Sequence, residues 1–260
     1  MFFESIPWYS WLMFLTVLGA LIGLNELSRQ NTKAALFFFV VLPLVLTPVW
    51  LSRESEITSW FTWAKVYSAL AGCIIFMVIR YTKFAEKNKW FLFFPALILG
   101  VNIAEAVARE FQVSGFNGVH DGMKIVGGTW NYFNATAGIL NTVLICGWMG
   151  IFVSSKKSRD MIWPAQIVPW IVAYDLWNFA YVYNCAPGNA LYSGGALLLS
   201  CTIPALLWAK GAWLQHRAAT LAFWMMWVMT MPYFFADGSM FKVAVSYLSL
   251  IHISEPTRPY

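Results

Sequence analysis

Eight apolar runs separated by polar links constrain what this chain can fold into more than any other feature. Each is close to the roughly 20 residues that a helix needs to cross the hydrocarbon of a bilayer. They cover about Trp8–Leu24, Ala35–Leu51, Trp60–Ile79, Trp90–Ala108, Trp130–Val153, Met161–Asn184, Ala190–Ala209 and Ala218–Phe235, and a ninth starts near Met240. In lipid every backbone N–H and C=O must be satisfied within the segment, so such runs fold as helices. The prediction is an all-α, polytopic transmembrane helix bundle with eight full spans and a truncated ninth. Residues 1–247 form one domain, because no polar stretch is long enough to build a second. Charged residues make up 11% of the chain, where a soluble domain has about 25%; lipid must therefore cover much of the surface. The first run has no basic segment ahead of it and no small-residue cleavage site, so it reads as a retained span and not a signal peptide.

The tail is of another kind. Leu248–Pro259 reads LSLIHISEPTRP, which resembles the in-frame translation of a sequencing-library adaptor. Residues 248–260 are accordingly expected to be non-native, with the ninth span cut short by them and with no functional weight on His252, Glu255 or Arg258.

The basic residues orient the bundle. Numbering the links in order, Arg29 and Lys33 lie in the first, and Arg80, Lys83, Lys87 and Lys89 in the third. Lys156, Lys157 and Arg159 lie in the fifth, and Lys210 and Arg217 in the seventh. The even links carry only Arg53, Arg109 and Lys124, with Lys242 after the eighth run. Positive charge concentrates on the cytoplasmic side of short loops, so the odd links are expected inside and the N-terminus outside. The net charge of +5 is thereby explained without nucleic acid.

That topology gives each intramembrane polar residue a depth. Lys65 lies one to two turns below the outer surface. Asn102, Glu105 and Arg109 share one face of the fourth run at i, i+3 and i+7, and Asn131 and Asn134 sit near the outer end of the fifth. Asp175 and Asn178 interrupt the aromatic stretch PWIVAYDLWNFAYVYNC of the sixth run and fall in its outer half. Lipid satisfies none of these groups, so they should turn inward and meet. The expected site is an outward-facing polar and aromatic pocket. Asp175, Glu105 and Lys65 set its charge, Asn102, Asn134 and Asn178 hydrogen-bond, and Trp177 and Tyr181 stack. Plainer roles stand beside this one: Lys65 snorkelling to the headgroups, Glu105 and Arg109 as an i, i+4 helix pair, and the asparagines as interhelical glue.

Catalytic chemistry finds little support. No GxSxG, HExxH or phosphate-binding glycine loop is present. His120 and Asp121, with Glu110 nearby, sit in an outer loop as a common surface pair, and His216 is expected to be solvated in a basic link. The cysteines Cys73, Cys146, Cys185 and Cys201 have no metal-ligand spacing. No metal, cofactor or catalytic residue is expected, and the third alternative, a membrane-embedded enzyme, lacks a nucleophile–base pair.

The runs SIPWYSWLMFL, KVYSALAGC, NIAEAV, GWMGIFVS, DMIWP, AYDLWNFAYVYNC, LLLSCTIPA and KGAWLQHRAATLAFWMM resemble those of a bacterial multi-pass membrane family catalogued only as a domain of unknown function. The resemblance covers nearly all of residues 1–247 and implies an uncharacterised bacterial inner-membrane protein. It brings no site residues with it. Two functional classes follow from the residues themselves: a protein that binds or transports a small solute, or a non-catalytic receptor or partner-binding subunit whose polar network only holds the helices.

Overall fold

The computed structural model describes residues 6–53, 60–120, 123–234, 239–241 and 243. Asp121 and the adaptor-like stretch 248–260 lie outside them, as does most of the ninth run.

The bundle is helical and follows the apolar runs. Helix α1 (Trp8–Gln30) is followed by Asn31, whose side-chain oxygen accepts the Lys33 and Ala34 N–H groups and so starts α2 (Thr32–Leu36). Helix α2 continues through a π-helical turn, Phe37–Val41, into α3 (Leu42–Ser52). The wide turn sits where Pro43 lacks an N–H for the Phe39 carbonyl and its ring would crowd it. Then come α4 (Trp60–Tyr81), the short α5 (Phe84–Lys87), and α6 (Phe93–Val113). A β-hairpin, β1 (Asn117–His120) with β2 (Met123–Val126), leads to α7 (Thr129–Val143). A two-residue ladder, β3 (Phe152–Val153) with β4 (Met161–Ile162), precedes α8 (Val168–Cys185). A second π-helical turn, Ala190–Ala196, runs into α9 (Leu197–Leu207), and α10 (Trp213–Thr230) follows. Gly194 and Gly195 lie in that turn; a Cβ on them would stand 2.9 Å from Phe179 and 2.9 Å from Phe14, so they let α8 and α1 come close.

Three of the boundaries that differ from the expected runs bear on the polar groups. The helix of the fifth run, α7, ends at Val143 after 15 residues, not at Val153. Gly147 at φ 66° turns the chain into a 3-10 turn, Trp148–Gly150, and then β3. The sixth run does not begin as helix at Met161. Trp163 precedes Pro164, which disfavours the helical conformation, and its N–H instead donates to the Gly211 carbonyl at 2.9 Å. Helix α8 starts only at Val168, so Asp175 lies near its middle and not in one half. The helix of the eighth run, α10, begins at Trp213, five residues before Ala218, and this brings His216 and Arg217 inside it.

Among the described residues, five helical segments are long and apolar enough to cross a membrane: Trp8–Gln30, Thr32–Ser52, Trp60–Tyr81, Lys89–Val113 and Pro187–Leu207. Exposed apolar side chains such as Leu44, Leu15, Phe133 and Leu176 coat the bundle, a surface compatible with hydrocarbon cover. Helix α10 is the exception. It is buried along almost its whole length, Gln215, His216 and Arg217 included, and packs on α1, α4 and α9.

The odd links gather at one end of the bundle. Arg80 at the end of α4 bonds the backbone of Arg29, Ser158 and Arg159, and Trp208 after α9 donates to Glu26. At the other end Arg53 donates to the Thr230 carbonyl, and β2 meets the Pro187–Asn189 turn.

Where α7 crosses α6 and α8, Gly138 is required. A Cβ there would stand 2.6 Å from Val107 and 2.8 Å from the Trp177 ring. Trp177 is pinned by its own hydrogen bond to the Asn134 carbonyl, so it cannot simply swing away. Gly138→Ala is expected to lower stability by about 1–3 kcal/mol through overpacking, read as an earlier thermal transition of the purified protein; an unchanged transition would show that α7 can slide.

Candidate functional site

Polar side chains meet inside the bundle in four groups. The first joins α4 and α6. Lys65 Nζ lies 2.9 Å from Glu105 Oε2, and also donates to the Asn102 carbonyl at 2.6 Å and to Asn102 Oδ1 at 3.0 Å. An ammonium has three N–H groups, and all three are thus used. Ser68 bridges Asn102 and Glu105. Lys65 is therefore turned inward and does not snorkel, and Glu105 pairs with it across the helices. Arg109 instead donates to Gln112 at 2.8 Å.

The second group joins α6, α7 and α8 around Glu110, which is fully buried. Its carboxylate accepts the side-chain amides of Asn131, Asn134 (2.6 Å) and Asn184 (3.3 Å). Asn131 Oδ1 in turn accepts the Gly128 N–H at 2.9 Å, fixing its amide toward Glu110. Trp177 Nε1 donates to the Asn134 carbonyl at 2.9 Å, and the Trp177 ring stacks on Tyr181 with centroids 6.3 Å apart. Tyr181 also meets Phe61 of α4. Asn134, Trp177 and Tyr181 thus share one wall, but their acidic neighbour is Glu110, which lies in the last turn of α6 and not with the outer-loop pair His120 and Asp121.

The third group joins α8, α9 and α10. Thr202 donates to Asp175 Oδ2 at 2.7 Å while accepting Trp213 Nε1 at 3.0 Å. Arg217, buried one turn into α10, directs Nε to the Tyr174 hydroxyl and Nη2 to Asn178 Oδ1, each at 3.4 Å. Trp170, Tyr174 and Trp213 pack ring against ring beside it. Among the described residues, Asp175 Oδ1, Arg217 Nη1 and Trp170 Nε1 are buried with no protein partner. Arg217 was expected in a solvated link. Being inside α10, it is the cation of the group that holds Asp175 and Asn178, while Lys65, the one cation expected in the pocket, pairs with Glu105.

The fourth group closes the odd-link end. Asp160 accepts Arg29 and Ser158 on Oδ2 (3.0 and 2.7 Å) and Gln215 on Oδ1 (3.2 Å). His216, expected to be solvated, is fully buried with Nδ1 against the Asn25 amide. Burial alone would raise the Asp160 pKa, but the Ser158 hydroxyl, the Arg29 charge and Gln215 outweigh it and hold the carboxyl below its ordinary range. A depressed folded value adds stability above the unfolded value of about 4, and that stability is lost as pH falls through the folded value. The melting gap between wild type and Asp160→Asn is therefore expected to be full at neutral pH and to narrow below about pH 4; a constant gap would mean that the Asp160 charge does not matter.

The expected eight residues thus fall into three neighbouring groups: Lys65, Asn102 and Glu105; Asn134, Trp177 and Tyr181; Asp175 and Asn178. Glu110, Arg217, His216 and Asp160 were missed as partners. The i, i+3 pair of Asn131 and Asn134 was the available signal for a buried acceptor such as Glu110. The run of apolar residues around QHR, from Trp213 to Trp224, was the signal for Arg217. Among the described residues no cluster of three or more His, Cys, Asp or Glu could hold a metal.

Residues 4–254 match DUF5692, a family of unknown function. The matched range includes 248–254 of the adaptor-like stretch. No curated protein and no solved structure matches the chain.

Proposed function

The chain belongs to DUF5692, and we propose that it is a bacterial inner-membrane protein that binds or carries a small solute bearing both an acidic and a basic group. One observation carries this reading: a carboxylate oxygen of Asp175 and a guanidinium nitrogen of Arg217, of opposite charge, are buried in the same group of three helices without protein partners. Leaving a charged group unsatisfied inside a protein costs more than a hydrogen bond returns, so such atoms favour a ligand between the helices. Arg217 would take the acidic group and Asp175 the basic one, with Asn178 orienting Arg217 and the rings of Trp170 and Tyr174 forming apolar walls. In this reading the odd links face the cytoplasm.

The test is thermal stabilisation of the purified protein by a panel of small zwitterions, anions and cations. Stabilisation by zwitterions, lost in Arg217→Gln and in Asp175→Asn while both variants still fold, is the expected result. A wild-type protein indifferent to the whole panel would sink the reading. The second reading, a receptor or partner-binding subunit with a purely structural network, draws on the Lys65 and Glu110 groups, where an opposite charge or asparagine amides satisfy each charge within the protein. It predicts that Asp175→Asn impairs folding alone.

A further inference from the structure

The odd-link end carries a feature that the solute reading does not use. A cleft of about 640 Å³ opens between the end of α1, the β3–β4 loop and the turn from α9 to α10. Four cations line it: Arg29, Lys156, Lys157 and Lys210. Arg29 is neutralised by Glu26 and Asp160, and the Asp160 oxygens are taken up by Arg29, Ser158 and Gln215. Lys156, Lys157 and Lys210 have no carboxylate within ion-pair distance among the described residues, and each is exposed.

The loop holding Lys156 and Lys157 is fixed from below. Arg80, itself buried, donates to the carbonyls of Ser158 (2.8 Å), Arg159 (3.1 Å) and Arg29 (2.6 Å), and Arg159 Nε returns a bond to the Arg80 carbonyl at 2.6 Å. A turn closes it, with the Arg159 N–H on the Lys156 carbonyl and Arg159 at φ 47°. Holding a non-glycine residue in the left-handed region costs energy, and here the Arg80 clamp offsets it. The lysines are thus presented on an ordered frame and not on a free loop. The same cleft is also lined by the apolar Ile162, Leu207 and Trp208, and Leu207 and Trp208 continue onto the exposed surface.

We infer that this cleft binds a phosphate group, with Lys156, Lys157 and Lys210 around its oxygens. The apolar wall beside the lysines favours a phospholipid headgroup whose chains run along Leu207 and Trp208. Basic pockets of this kind between helices are suited to anionic lipid heads; a soluble phosphate would share the same lysines.

The test uses the full chain in nanodiscs of phosphatidylcholine, with either phosphatidylglycerol or inorganic phosphate added, and reads bound lipid by native mass spectrometry and the shift in melting temperature. Lys156→Gln/Lys157→Gln/Lys210→Gln is compared with Lys83→Gln/Lys87→Gln/Lys89→Gln, which removes equal charge from exposed lysines of the same end outside the cleft. Phosphatidylglycerol binding weakened about tenfold or more in the first variant and little changed in the second is the expected result. Stabilisation by inorganic phosphate, lost in the first variant alone, would support the site with a soluble source. Equal loss in both variants, or no stabilisation of the wild type by either addition, would overturn it.

Discussion

Arg80→Ala is expected to destabilise the protein by about 3–5 kcal/mol, enough to abolish a normal thermal transition. The Arg80 guanidinium lies at the end of α4 and reaches three backbone carbonyls on two other segments, Arg29 on α1 and Ser158 and Arg159 in the β3–β4 loop. Hydrogen bonds from a charged donor contribute about 1.5–3 kcal/mol each. Removing the donor also leaves buried acceptors unpaired and frees Arg159 from its strained turn. Arg80→Lys should recover only part of the loss, because an ammonium does not reproduce the planar fork that reaches both sides at once. Chemical denaturation in detergent reads the effect. If Arg80→Lys matched the wild type, charge and not geometry would be what holds the odd links together.

Glu110→Ala is expected to cost about 3 kcal/mol or more. Its carboxylate accepts three asparagine amides from α7 and α8, and it is fully buried. Truncation strands Asn131, Asn134 and Asn184 together, and an unsatisfied buried donor costs about 1–3 kcal/mol. Glu110→Gln should fall between, since its amide keeps one acceptor oxygen but presents an N–H₂ to other donors. The same denaturation measurement ranks the three proteins. Equal stability of Glu110→Ala and wild type would mean that water reaches the asparagines.

These two residues show how differently the chain discloses its parts. Lys65, Asn102 and Glu105 were legible as partners because helical spacing puts Asn102 and Glu105 on one face and hydrocarbon leaves all three no alternative to each other. The need of Asp175 for company was legible for the same reason. The cation buried in its group was not, because Arg217 stands at the start of an apolar run where hydropathy alone places the boundary, and a basic residue there reads as a link. What moves Arg217, His216 and Gln215 inside is the enclosure of α10 by α1, α4 and α9, a property of neighbours far away in sequence. Glu110 was hidden in the same way, at the last turn of α6 beside a polar connection.

Composition and the period of the apolar runs, which act residue by residue along the chain, were sufficient for the helical class, for membrane-compatible segments and for the alternation that brings the odd links together. Which end of each helix a proline or glycine trims, which cation joins the Asp175 group, and whether a charged side chain is solvated or enclosed depend on contacts between segments from 39 to 191 residues apart. Local patterns carry no record of those distances, and burial, which sets the cost of every polar group here, exists only once the helices have packed.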